Sequence, residues 1–536
     1  MSTENASHPV AGTAASSGDA GADTAADGAA HRNDAPPLGA PFEDVRTREP
    51  ERAEIEAFVR EHPGYAVAPA LDEMRATEFA RLDASGAVYL DYTGSGLYAQ
   101  SQIDAHVAML GRDVYGNPHS VSPSAQVATA LLERARAAVL RFFNASPETY
   151  AVIFTANATA ALRLIGEHYP FGPERGYIFT QDNHNSVCGI SAFAQRAGAA
   201  TTVIAPTVPD LRLDHEQVCA VLGAPSQEPK GLFAYPAQSN FSGVKHSLDL
   251  IDEAQRRGFD VLLDAAAFAP TNRLDLAAHQ PEFVCISFYK MLGYPTGLGC
   301  LLIKQTVLAS WRQRWFAGGN VKLASVLGQG FVRGAGAAAF EDGTVDFLSI
   351  PAVEMGLAFL EGASHAHLAV RVQALTDYTL RHMRSLVHAS GLPLIRLLGP
   401  IDTVERGATI AFTVVDSQGQ VHDIRKLAIL AGQHGISLRT GFFCNPGAGE
   451  AAFGLSADDL VPFFRQPEFT FDDLRAHYRA HHGFDIGAIR ASYGLASNFH
   501  DAWRFVAFLR GLVDRTCRDL ATWPGDAPDE SPVCSG

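Results

Sequence analysis

The chain has 536 residues, 47% of them hydrophobic, which is enough for two packed domains with tails. A net charge of −16 argues against nucleic acid or an anionic membrane as the main partner. No apolar run has the length of a membrane span, and the N-terminus lacks a hydrophobic signal segment, so a cytoplasmic location is expected.

Residues 1–40 carry twelve Ala and five Gly among Ser, Thr and Asp, a composition that cannot bury enough apolar surface to order itself. Residues 41–88 read as a helical lead-in, with helical periodicity in Glu51-Arg-Ala-Glu-Ile-Glu-Ala-Phe-Val-Arg60. From 89 to 345, short apolar strands alternate with helical stretches. This is the pattern of an α/β domain whose mainly parallel sheet is covered on both faces. From 346 to 520 a smaller α+β region contains strands such as Ala408-Thr-Ile-Ala-Phe-Thr-Val-Val415. A closing helix there is capped by Asn498 and supported by Asp501. The Pro-rich acidic stretch 521–536 reads as a loose tail, and there is no internal repeat.

Within the larger region one lysine stands apart. The chain has six, of which Lys230, Lys245 and Lys322 read as loop residues, Lys304 as a solvated strand end and Lys426 as a helix-face residue. Lys290 follows the apolar strand Phe283-Val-Cys-Ile-Ser287 on a polar turn before a Gly/Pro-punctuated stretch. A lysine so held can form a Schiff base with pyridoxal phosphate, given an acid for the ring nitrogen and a phosphate cradle elsewhere. Asp264, ending the strand Val261-Leu-Leu-Asp264, can keep that nitrogen protonated. The cradle reads as the strand Ala151-Val-Ile-Phe-Thr155, the turn Ala156-Asn-Ala-Thr159 and a helix from Ala160. Free N–H groups and the Thr159 hydroxyl at a helix N-terminus favour a phosphate dianion. His184, in a loop rich in Asn and Ser, has an imidazole suited to stacking and to proton movement.

Seven cysteines without a CxxC pair give no zinc or cluster signature, and they suit a reducing compartment. Cys285 and Cys300 lie in apolar strands and read as small buried hydrophobes, Cys219 and Cys517 lie on expected helices, and Cys534 lies in the tail. Cys188 reads as packing. Cys444 differs, because it sits in the turn Gly441-Phe-Phe-Cys-Asn-Pro446 with Arg439 nearby, and a positive neighbour favours the nucleophilic thiolate.

Ordered motifs then carry a resemblance. They run Tyr89-Leu-Asp-Tyr-Thr-Gly94, Tyr115-Gly-Asn-Pro-His-Ser120, Phe154-Thr-Ala-Asn-Ala-Thr159, Asp182-Asn-His-Asn-Ser-Val187 and Tyr235-Pro-Ala-Gln-Ser-Asn-Phe-Ser-Gly243. Leu263-Asp-Ala-Ala266, Ser287-Phe-Tyr-Lys290, Phe340-Glu-Asp-Gly-Thr344, Leu438-Arg-Thr-Gly-Phe-Phe-Cys-Asn445 and Ile489-Arg-Ala-Ser-Tyr-Gly494 follow. From about residue 80 to about 515 the chain resembles class V aminotransferase-fold cysteine desulfurases, especially the desulfurase domain of molybdenum-cofactor sulfurases.

The resemblance implies a fold-type-I enzyme using pyridoxal 5'-phosphate, with Lys290 carrying the cofactor, Asp264 on the pyridinium, His184 stacked on the ring and Asn240 on its hydroxyl. Ala158, Thr159 and Ser287 would hold the phosphate, and Thr344 would reach the phosphate of a neighbouring subunit in a homodimer. Arg490, with Arg439, would bind the carboxylate of L-cysteine or a related amino acid, and Cys444 would accept sulfur for an acceptor supplied in trans. Tyr289 departs from the His that many cysteine desulfurases carry before the lysine, and agrees with the sulfurase branch. A class V aminotransferase, lyase or epimerase without persulfide chemistry is the alternative, and a non-catalytic partner-binding subunit is a third reading.

Overall fold

The structure is a computed structural model that describes residues 42, 44–118, 120–312, 315–465 and 468–521. The expected Ala/Gly-rich tail, Cys534 and nearly all of the C-terminal tail lie outside the described residues.

A seven-stranded sheet organises the larger half. Its strands are β1 (Tyr150–Thr155), β2 (Gly176–Thr180), β3 (Thr201–Ile204), β4 (Gly231–Pro236), β5 (Phe259–Asp264), β6 (Phe283–Ser287) and β7 (Gly299–Lys304). The spatial order is β1-β7-β6-β5-β4-β2-β3, with β7 antiparallel to both neighbours and the remaining pairs parallel. Successive side chains alternate between faces, and both faces are covered. Val152, Phe154, Val261, Leu263, Val284 and Ile286 enter one core, and Ala151, Ile153, Leu262, Phe283 and Cys285 enter the other. A strand buried on both sides reads as a continuous apolar run, which is why these segments show no polar alternation.

Because β7 runs against both β1 and β6, strands β1, β2, β4, β5 and β6 all point the same way. Their carboxyl ends open on one edge of the sheet, where a fold of this kind places its ligand crevice.

A second, four-stranded antiparallel sheet comprises β8 (Ile395–Leu397), β9 (Thr409–Val414), β10 (Arg439–Gly441) and β11 (Ala488–Ser492), in the order β8-β9-β11-β10. Its register sets Arg439 directly opposite Arg490, so both side chains leave the same face. The helix Phe499–Arg510 covers this region and starts with a reciprocal capping box between Asn498 and Asp501. The lead-in docks here, with Phe58 stacked on Phe499 at 4.3 Å between ring centroids. Among the described residues no helix is long and apolar enough to cross a membrane.

Three local differences from the sequence reading have physical causes. Lys290 sits on a short helix, Phe288–Leu292, not on an open turn. Gly293 ends that helix at φ +70, where an added Cβ would lie 2.3 Å from the Tyr98 amide nitrogen. Lys322, read as a loop residue, lies on the strand Val321–Ser325, paired with Gly330–Arg333. The helix after β1 starts at Ala158, two residues earlier than its apolar pattern suggests, because Asn157 caps it by accepting from the Ala160 amide at 2.9 Å.

The strand β7 passes directly under that helix start, and Gly299 makes the approach feasible. A Cβ there would meet the Ala158 nitrogen and the Asn157 carbonyl carbon, both at 2.6 Å, and neither backbone atom can swing aside. Gly299→Ala should therefore destabilise the protein by about 1–3 kcal/mol, the scale of overpacking, and lower the denaturant midpoint. An unchanged midpoint would show that strand and helix are not in tight register.

Candidate active site

At the carboxyl edge of the sheet, a cavity is lined by Asn157, Ala158, Thr159, Leu162, His184, Asp264, Ala266, Ser287, Tyr289 and Lys290. Four strand ends contribute to it. Beyond β1 comes the helix start at Ala158 and Thr159, and beyond β2 comes His184. Asp264 is the last residue of β5, and Ser287 ends β6 three residues before Lys290. The helix geometry leaves the Ala158 and Thr159 amides without intrahelical acceptors. The Thr159 hydroxyl bonds Ser186 at 2.8 Å, tying this end of the cavity to the His184 loop.

Electrostatics in the cavity are dominated by burial. Asp264 is 8% exposed, and burial pushes its carboxyl up while the Lys290 ammonium partly offsets the rise. Burial likewise pushes the Lys290 amine down from the ordinary lysine range. Asp264 opposes that fall, Arg490 and Arg439 add to it, and Cys444 acts against it. Arg490, Arg439 and Cys444 therefore lie within electrostatic reach of the Lys290 amine. Burial and the Lys290 charge also push His184 down to about 3, so its ring is neutral at physiological pH. Its Nδ1 accepts from the Ser186 amide at 3.1 Å, which leaves Nε2 to carry the ring proton.

Cys444 is half-buried and lies on a backbone that an L-residue seldom adopts. Phe443 and Cys444 are consecutive left-handed residues, at φ +59 and +57. Hydrogen bonds hold this turn against its strain. The Asn185 amide donates to the Cys444 carbonyl at 2.8 Å, and Asn240 Nδ2 donates to the Phe443 carbonyl at 2.7 Å. Asn445, wholly buried, donates from Nδ2 to both the Asp182 carbonyl and Asn240 Oδ1, and its own Oδ1 caps the helix Pro446–Phe453. The cysteine turn is thus pinned to the loop that carries His184.

The two arginines are bridged by a carboxylate. Arg490, 2% exposed, donates from Nη2 to Asp91 Oδ1 at 2.9 Å and from Nη1 to the Asn240 carbonyl at 2.9 Å. Its guanidinium lies 4.7 Å from the centre of the Phe443 ring. Arg439 grips the same carboxylate through Nε and Nη2, the shortest contact being 2.7 Å.

The structure brings Lys290, Asp264, His184, Ala158, Thr159 and Ser287 into one cavity. Asn240, Arg490, Arg439 and Cys444 form a second cluster beside it, and the Asn240 amide is engaged by the cysteine turn. Thr344 lies apart and exposed, accepting from Asn117 Nδ2 at 3.3 Å. Asp91, Asn445 and the buried Asp182–His246 pair, at 2.7 Å, were not singled out by sequence reasoning. Asp91, Asp182 and Asn445 nevertheless fall inside the motifs that carry the resemblance.

These residues fit pyridoxal phosphate. The cavity offers a lysine amine shifted toward neutrality, a buried carboxyl within its electrostatic reach, and free helix-start amides beside the Thr159 and Ser287 hydroxyls.

Comparison with known proteins agrees. The molybdenum cofactor sulfurase of Bos taurus is 37% identical over 461 residues, an alignment covering 82% of this chain and 51% of that protein. This chain spans about half the length of that curated relative. The cysteine desulfurase of Thermococcus onnurineus NA1 superposes with a TM-score of 0.67 at 19% identity, covering 82% of this chain and 98% of that one. C-DES, solved with glycine linked to its PLP cofactor, superposes with a TM-score of 0.62 at 18% identity, covering 82% of this chain and 99% of that one. The family model described as aminotransferase class-V matches residues 88–498, and the chain belongs to that family.

Proposed function

We propose that this chain is a pyridoxal-phosphate-dependent, cysteine desulfurase-like sulfurtransferase that converts L-cysteine to L-alanine and leaves the sulfur as a persulfide on Cys444. The observation that carries this reading is the cysteine turn. A strained left-handed backbone at Cys444 is tied by Asn185, Asn240 and Asn445 to the His184 loop, and the sulfur lies within electrostatic reach of Lys290. Strain of this kind persists where its surroundings over-determine it, commonly at functional sites.

Pyridoxal phosphate supplies an electron sink for bonds at the substrate carbon. Lys290 would hold it, Asp264 would keep its ring nitrogen protonated, and Ala158, Thr159 and Ser287 would hold its phosphate. Arg490 binds the substrate carboxylate. The Lys290 amine, lowered by burial, takes and returns protons at the substrate carbon once substrate is in place. His184, neutral and carrying its proton on Nε2, would lie over the cofactor ring and offer that proton as a hydrogen-bond donor. The Cys444 thiolate attacks the substrate sulfur, so an S–S bond forms as the carbon–sulfur bond breaks. The electron pair stays with the carbon, which takes up a proton, and the products are alanine and the Cys444 persulfide.

The active unit is read as a cytoplasmic homodimer, with the exposed Thr344 available to a second copy's phosphate site. The free thiols of Cys188, Cys219, Cys285, Cys300, Cys444 and Cys517 suit a reducing compartment. The persulfide then passes to a sulfur acceptor.

Borohydride reduction of the purified holoprotein should fix a pyridoxyl group on Lys290, read by peptide mass. A label on another lysine, or none, removes the enzyme reading. Arg490→Ala should weaken L-cysteine binding by roughly 2–5 kcal/mol, the scale for removing one partner of a desolvated charge pair, with cofactor content nearly unchanged. Equal titration of the cofactor absorbance in both proteins would remove the carboxylate assignment. Cys444→Ala should keep cofactor and cysteine binding but lose alanine production. Turnover at the parental rate would favour a lyase or aminotransferase instead.

A further prediction concerns His184 in the cofactor-free protein. Its value falls from 6.5 when unfolded to about 3 when folded, so the unfolded state binds the proton first. This site's share of stability is full above pH 6.5 and is lost as pH falls from there toward 3. An NMR titration should find the ring neutral at about pH 5. A midpoint near the ordinary histidine value would contradict its burial.

A further inference from the structure

The Asp91 carboxylate is the least expected group beside the candidate carboxylate site. Among the described residues its four hydrogen bonds all come from the two guanidiniums: Arg439 Nε to both oxygens at 3.1 and 2.9 Å, Arg439 Nη2 at 2.7 Å and Arg490 Nη2 at 2.9 Å. Arg490 also spends Nη1 on the Asn240 carbonyl, and its Nε is buried without a partner among the described residues. Burial pushes the Arg490 guanidinium down from the ordinary arginine range, and the Asp91 carboxylate acts against that fall.

Asp91 is also fixed in place. It bridges to Ser492 beyond the end of the two-residue strand Val88–Tyr89, and its carbonyl accepts from the amides of Gly94 and Ser95. A Cβ on Gly94 would lie 2.5 Å from either carboxylate oxygen, so the turn wraps the side chain closely. A carboxylate this confined does not swing away when a ligand arrives.

Resting on the desulfurase-like reading above, we propose that Asp91 sets the charge selectivity of the substrate site. By occupying Arg439 and one edge of Arg490, it makes the site take amino acids with one carboxylate over those with a second acid on the side chain. The charge count decides this. Two guanidiniums and one carboxylate leave one positive charge, which the substrate α-carboxylate matches. A side-chain carboxylate or sulfinate would then be desolvated beside Asp91 after the net charge of the two guanidiniums and Asp91 has been matched, which is costly where Asp91 is 11% and Arg490 2% exposed at the side chain, with only Arg439, at 48%, open to solvent. Arg439 is on this account a positioning residue whose head is already neutralised, and Asp91 is the specificity-determining one.

The test uses holoenzyme and two amino acids that carry no sulfur to release, L-alanine and L-aspartate, each titrated by the change in cofactor absorbance. Asp91→Asn raises the local charge from one to two, and should shift the ratio of the two dissociation constants toward aspartate by about tenfold or more. Arg439→Gln leaves Asp91 half-paired and should move the same ratio the other way. Opposite shifts support the proposal, and they cannot come from a general loss of packing, which would weaken both ligands alike in both variants. An unchanged ratio in either variant, or equal loss of both ligands, overturns it. If neither amino acid perturbs the parent's absorbance, the amino-acid enzyme reading fails, and this proposal falls with it.

Discussion

The burial of a lysine amine and a carboxyl group within electrostatic reach of each other is the constraint around which this molecule is arranged. Taking Lys290 and Asp264 out of water costs several kcal/mol for each ion before their mutual attraction repays part of it. The opposing shifts of the two groups express that cost, since burial drives the amine down and the carboxyl up. Such a pair needs rigid support on both sides. The sheet provides it, because Asp264 ends β5 and Lys290 follows β6 immediately beside it. The strand pattern that aligns these two ends also brings the Ala158 helix start and the His184 loop to the same edge.

A second constraint holds Cys444. Two consecutive left-handed residues without glycine cost roughly 1–2 kcal/mol each. The carbonyls of both residues are taken by asparagine donors, and the Asn445 side chain links the turn to Asp182 and Asn240. The thiol is therefore carried by a segment whose geometry is set from the larger sheet's loops, although the chain reaches it through the smaller sheet. The same cross-link engages Arg490, whose guanidinium lies on Phe443 and donates to the Asn240 carbonyl. The substrate-binding and sulfur-accepting groups share one support.

Much of this was legible in the amino-acid order, for identifiable reasons. Lys290, Asp264 and the Ala158–Thr159 cradle each sit just past a β-branched or aromatic run, and a strand end is a short-range signal. The capping box at Asn498 and Asp501 is likewise local. What escaped was long-range pairing. Asp91 meets Arg439 across 348 positions and Arg490 across 399, and no spacing rule joins them. The engagement of the Asn240 amide by the cysteine turn is likewise long-range, across about two hundred positions. The sequence places Arg439 near Cys444 but does not show that Asp91 holds its head group. The tautomer of His184 depends on the backbone amide of Ser186, a contact set by how the loop folds.

The central claim is that the Lys290 cavity and the Cys444 turn act together on one substrate. Its most direct measurement is a single exposure of the holoprotein to L-cysteine without reductant, followed by peptide mass mapping and amino-acid analysis of the supernatant. The account predicts one added sulfur atom on the peptide containing Cys444 and an equal amount of L-alanine. Pyruvate and ammonia with an unmodified Cys444, or sulfur carried on another cysteine, would contradict it.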